Sequence, residues 1–210
     1  MKKIFSVLLL FAVFFWQGRI VSAGLADYPT VAVVPFTNKT VIKNDLDDRM
    51  DIALARDAAD MNLVGTGMFN MIERERLDAL IDEMALGKSG LIDEASAAKI
   101  GKLLGAQYMV LGSVTSLSTK TKTNSFSGNS YQVFAHVYVR MVEVETGRVV
   151  LAGRGMGKSG KERRSAPSRM LHIGTAEVDD EDVHEALEQA ADDAIVGQRG
   201  LMSMLRGGNR

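Results

Sequence analysis

The sequence predicts an α/β (or α+β) fold: one domain built on a mixed β-sheet covered by helices, in the order β-α-β-α-α-β-β-β-α. Three observations predict it. Thr30 to Phe36 and Tyr108 to Val114 are short, almost continuously apolar runs, as strands buried on both faces are. Between them, apolar residues recur at helical spacing in three separate stretches. After them, two alternating stretches are joined by the turn Glu145-Thr146-Gly147-Arg148, which makes an antiparallel pair. No internal repeat is present.

Taken in order, TVAVVPF is a first strand that Pro35 closes. Asn44 is placed to cap a helix carrying Leu46, Met50, Leu54, Ala58 and Met61 on its core stripe, running to about Val64 before Gly65-Thr66-Gly67. Phe69 to Ile72 is a brief strand. From Glu73, Leu77, Leu80, Ile81 and Met84 fall on one helical face, and Gly87 to Gly90 break that helix. Asp93 or Ser96 caps the next helix, with Ala97, Ile100, Leu103 and Leu104 inward and Gly105 closing it. Ser116 to Ser130 is polar and reads as a hairpin tip. Tyr131 to Val144 is a long strand with Val149 to Gly155 as its partner. Gly157 to Thr175 reads as an exposed basic loop. A last helix, about 181–205, starts behind the acids Asp179 to Asp182, which the helix dipole favours, and is weakened by Gly197 and Gly200.

The N-terminus has a secretory layout. Lys2 and Lys3 precede an apolar run from Ile4 to Trp16, and Val21-Ser22-Ala23 offers a small-residue cleavage site before Gly24. The run is short against the ~20 residues of a membrane span. Residues 1–23 are therefore expected to be a signal peptide and residues 24–210 the domain. Losing Lys2, Lys3 and Arg19 with it takes the formal charge from −1 to −4. That mildly acidic balance argues against a nucleic-acid partner, which calls for a basic excess. The chain has no cysteine, so it has no disulfide, no thiol nucleophile and no thiolate metal ligand. Gly24 also stands where lipid attachment needs cysteine, so no lipid anchor is expected.

The patterns that could carry chemistry fail on their spacing. Two Gly-Lys-Ser-Gly tetrapeptides, at 87–90 and 157–160, suggest a phosphate loop. Asp82 and Ala152, however, occupy the position where that loop has its first glycine. The three histidines, His136, His172 and His184, are scattered, and His184-Glu185 lacks the second histidine of a zinc-protease helix. No serine stands in a nucleophile elbow. The sequence calls for no catalytic residue, no metal and no cofactor. Candidate partner surfaces are the charged helix start at Arg74 and Arg76 and the basic loop around Arg163 and Arg164.

ERERLDALIDE, then SGLIDEASAAKIGKLLGA, then a strand ending VLGSVT resemble the CsgG family of curli production assembly and transport components. TVAVVPF and VRMVEVETGRVVLAG are similar to it as well, so the likeness runs from about Tyr28 to Leu205. The resemblance implies a protein of the bacterial cell envelope acting through protein partners or self-association. It implies a place in the periplasm, with peripheral outer-membrane association, in curli-type assembly or secretion. Two alternatives come with the family: a subunit of an oligomeric outer-membrane secretion pore, or a periplasmic regulator of another envelope machine. This sequence departs from the pore-forming pattern. It lacks the lipid-bearing cysteine, and Thr119 to Ser130 is polar on both faces where a barrel strand needs an apolar outward face.

Overall fold

The computed structural model describes residues 28–41, 45–84, 92–124, 128–160 and 178–207. Among these residues, six strands and five helices follow one another as β1 (Thr30–Val33), β2 (Thr37–Asn38), α1 (Ile52–Gly65), β3 (Asn70–Met71), α2 (Arg74–Glu83), α3 (Glu94–Leu104), β4 (Tyr108–Asn124), β5 (Gly128–Glu143), β6 (Val149–Ser159), α4 (Asp180–Val196) and α5 (Leu201–Gly207). They form one mixed sheet in the order β3-β1-β4-β5-β6, with β2 continuing along β4 beyond β1. β1 is parallel to β3 and β4, whereas β4, β5 and β6 meander antiparallel.

Connection geometry decides which helix lies where. The crossover from β1 to β3 steps one way across the sheet and carries α1. The crossover from β3 to β4 steps back and carries α2 and α3. Two crossovers of the same hand in opposite directions must lie on opposite faces. Accordingly α1 packs its Ala55, Ala59 and Leu63 on the first face, against Val31, Val33 and Val110. The second face takes α2 and α3, with Leu77, Ile81, Ile100 and Leu104 against Ala32, Met109, Leu111 and Val142. After β6 the chain returns along the first face as α4, whose Val183, Leu187 and Ile195 join the same core as α1.

The long C-terminal helix sits unusually close to the sheet. Gly153, Gly155 and Gly157 alternate along β6 on the first face. A Cβ on any of them would stand 1.9–2.3 Å from a backbone oxygen of Ala194, Ala190 or Ala186. Alanines four apart on α4 thus seat their own backbone on a glycine stripe, without side chains between.

Several sequence expectations are corrected. The helix expected from Asn44 begins at Ile52, capped by the Asp51 carboxylate on the Ala53 N–H; Asn44 itself lies outside the described residues. Its buried face is the alanine face, so Met61 is 73% exposed instead of core. Propensity and spacing allow either stripe, and the one carrying Ala55, Ala59 and Leu63 is the one that joins the core shared with α4. Leu103 likewise faces solvent while Leu104 is buried. The polar stretch after Val114 is strand: β4 pairs β5 continuously to Asn124 opposite Gly128, apart from a bulge at Thr115. The basic loop starts later than expected, because Gly157 to Ser159 belong to β6; residues 161–177 of that segment lie outside the described residues. The final helix is two, broken at Gly197 to Gly200, where glycine is expected to weaken it. The signal-peptide segment and the first Gly-Lys-Ser-Gly lie outside the described residues.

Candidate functional site

The second face of the sheet is half covered. Met109, Leu111 and Val142 lie under α3, but no described element lies over the part formed by the far halves of β4, β5 and β6. The reason is topological. Hairpins join these three strands, and a hairpin brings no helix to either face.

Strand register places the open part. Along β5, Phe134, His136 and Tyr138 alternate outward while Val133, Ala135, Val137 and Val139 are buried. Phe134 faces Ser118 on β4 and Lys158 on β6, His136 faces Ser116 and Met156, and Tyr138 faces Ser113 and Arg154. Met156 is 53% exposed and Tyr138 38%. Lys120 Nζ stands 4.9 Å from the centre of the Phe134 ring, and the Arg140 guanidinium lies 6.0 Å from that of Tyr138. Arg140 also pairs with Glu94 at the start of α3, which marks the border of the covered half.

Beside Tyr138 and Arg154 the face dips into a cavity of about 550 Å³, whose lining includes Arg199 and Asp193 from the end of α4 and the turn after it. Asp193 accepts a hydrogen bond from the Met156 N–H (3.0 Å). Arg154 donates its N–H to the Arg199 carbonyl (3.1 Å) and Lys158 donates its own to Gln189 Oε1 (3.4 Å). These three contacts occupy the outward N–H groups in the middle of the outermost strand. An incoming strand therefore finds its donors already used.

Other polar groups hold the frame together. Arg56 is buried, donating to the Val33 carbonyl (3.0 Å) and bidentately to Asp78 on α2 (2.9 and 3.0 Å). It ties α1, the first strand and α2 to one another. At the other end Asp182 is buried instead of solvated. It accepts from the Tyr131 hydroxyl (2.6 Å) and from Ser159 Oγ (3.0 Å), pinning the start of α4 to β5 and β6. Burial raises the Asp60 carboxyl above its ordinary range, with nearby Arg56 opposing. The N-cap hydrogen bond from the Ser96 N–H lowers Asp93.

Of the partner surfaces expected from the sequence, the start of α2 is the one among the described residues. Arg74 is tied to Asp57 on α1 by an ion pair, and Arg76 is exposed on α2. Arg163 and Arg164 lie outside the described residues. The outer side of α1 and α4 instead carries a groove of about 650 Å³, lined by Leu54, Met61 and Val196 together with Asp57, Glu188, Asp192 and Arg206. Sequence reasoning misses both this groove and the open sheet face. The groove is hidden because helical spacing assigns Met61 to the core. The face is hidden because part of its strands reads as loop. Among the described residues, no group of three or more histidines and acids could hold a metal ion, and no helix is long and apolar enough to cross a membrane.

The family model described as curli production assembly/transport component CsgG matches residues 20–207. The chain belongs to the CsgG family. The CsgG-like chain is also similar to three solved structures. The LpoB C-terminal domain from Escherichia coli is 18% identical, covering 61% of this chain and 81% of that one at a TM-score of 0.44. Lipoprotein GNA1162 from Neisseria meningitidis is 14% identical, covering 64% and 85% at 0.45. The PelC dodecamer from Paraburkholderia phytofirmans is 14% identical, covering 82% and 89% at 0.42. These likenesses transfer neither partner nor activity to this CsgG-family chain. No curated protein matches it in sequence.

Proposed function

We propose that this chain is a non-enzymatic interaction protein of the cell envelope. It acts in the periplasm of a Gram-negative-type bacterium, through protein contacts, in curli-type assembly or secretion. The observation that carries this is the family match over residues 20–207, almost the whole chain. The secretory layout of residues 1–23 supports the compartment. The groove between α1 and α4 supports contact with a protein. Its lining mixes the apolar Leu54, Met61 and Val196 with the acids Glu188 and Asp192 and one cation, Arg206, the mixed composition of a small docking patch. Arg76, exposed on α2, offers a second contact of opposite sign.

The role of a pore subunit is disfavoured by the chemistry of a barrel strand. The sequence from Thr119 to Ser130 is almost wholly Thr, Lys, Ser, Asn and Gly, where a barrel strand calls for an apolar outward face. Cell fractionation followed by sizing tests the proposal. The protein is expected in the periplasmic fraction without detergent, as a monomer or small oligomer. A large ring that only detergent releases would contradict it and install the pore reading.

A further inference from the structure

We propose that the open half of the sheet's second face binds an acidic glycan, a chain of sugars carrying carboxylates. This goes beyond protein contact and uses a different surface. Phe134, His136 and Tyr138 place three planar rings about 7 Å apart along β5, the rise of two strand residues. Such a row suits an extended polymer that lays successive ring faces on a flat platform. On either side stand cations: Lys120 on β4, Arg154 and Lys158 on β6, and Arg199 at the cavity wall. Among the described residues, none of these four has an ion-pair partner. Arg154 and Arg199 are joined backbone to backbone beside one cavity of about 550 Å³. Both residues line it, so two planar guanidinium forks are within side-chain reach of a carboxylate entering there. Among the described residues, Asp193 is the one acid lining that cavity, and its carboxylate is engaged by the Met156 N–H.

The chemistry between the rings and cations chooses among polyanions. Ser116, Ser118 and Gln132 lie on the same face as the rings, supplying short hydroxyl and amide groups that match a hydroxyl-rich polymer. A lipid surface would instead require a continuous apolar band with basic residues around it. Here the apolar groups are interleaved with serines. Nucleic acid, a polyanion whose bases also stack on such rings, is the competitor that titration with oligothymidylate decides.

The test is calorimetric titration of the purified protein with polygalacturonate, with neutral dextran in parallel. Polygalacturonate is expected to bind, to weaken as salt rises and to exceed dextran at least about tenfold. Replacing both arginines (Arg154→Ser with Arg199→Ser) is expected to weaken binding about 30-fold, the loss of charge-assisted hydrogen bonds. Tyr138→Ala is expected to weaken it about fivefold. Lys102→Ser, on the exposed side of α3, is expected to leave it unchanged, with circular dichroism verifying the fold of every variant. The proposal is overturned by absent binding, by equal binding of dextran, or by arginine variants that bind as the parent does. Tighter binding of oligothymidylate or of phosphatidylglycerol vesicles also overturns it. None of these results depends on where fractionation finds the protein.

Discussion

The two halves of the sheet's second face come from the same strands and differ in what lies above them. In the covered half, β4 and β5 present Met109, Leu111 and Val142, all buried beneath Ile100 and Leu104 of α3. A few residues further along, the same alternating positions hold Ser116, Ser118, His136 and Tyr138, and β6 adds Arg154 and Met156. Residue character changes where the helices stop. The crossovers that deliver helices to this face end with β4, and the strands beyond it are joined by hairpins. One boundary, set by connectivity, thus separates a part of the face used for stability from a part that no described element covers.

The sharpest way to break this comparison is to strike β6 on each of its sides. Gly155→Val would drive a side chain into the backbone of α4, 2.1–2.2 Å from Ala190 O and Ala194 N. The expected loss is about 3 kcal/mol or more, or no folded protein at all. Its neighbour Met156→Ala, on the open side, is expected to change stability by no more than about 0.5 kcal/mol in the same urea titration. Next in size is Ile100→Ala. It empties a fully buried site in the covered half and is expected to cost about 2–4 kcal/mol. Asp78→Ala follows, at about 2 kcal/mol, because it strips the buried Arg56 guanidinium of its bidentate partner. The smallest effect sharpens the picture of charge at the α1 surface. Asp60 is raised above its ordinary value of 3.8 by burial, so its charged form opposes folding at neutral pH. That opposition fades as pH falls through the raised value and is absent below about 3.8. Asp60→Asn is therefore expected to raise the melting temperature at pH 7 and to lose that advantage in acid.

Much of the fold is legible in the sequence because each helix announces itself by spacing and by its ends. Asp93 capping Ser96, Gly105 in the left-handed conformation at φ 73° and the turn at Gly147 stand where their residue types require. What is not legible turns on distance between elements. The strand read from Val149 stops at Gly155, and nothing local carries β6 on through Met156-Gly157-Lys158-Ser159, since glycine weakens strand propensity. The signal is the period-two glycine row read together with Ala186, Ala190 and Ala194 at four-residue spacing on a later helix. The misassigned stripe of α1 also turns on tertiary packing: Ala55, Ala59 and Leu63 join the core shared with α4, and Met61 turns outward. Polar strands β4 and β5 beyond Val114 carry little apolar alternation on the open face because nothing described is packed there. The candidate site is therefore hidden by the property that makes it a site.

The proposed glycan surface is the open half of the second face, with the covered half structural. Amide chemical shifts recorded while polygalacturonate is added test this claim most directly. Changes are expected to gather at residues 116–120, 132–140 and 154–158, with 109–111 and 142 unmoved. Changes gathered instead on α1 and α4, or no changes anywhere, would contradict it.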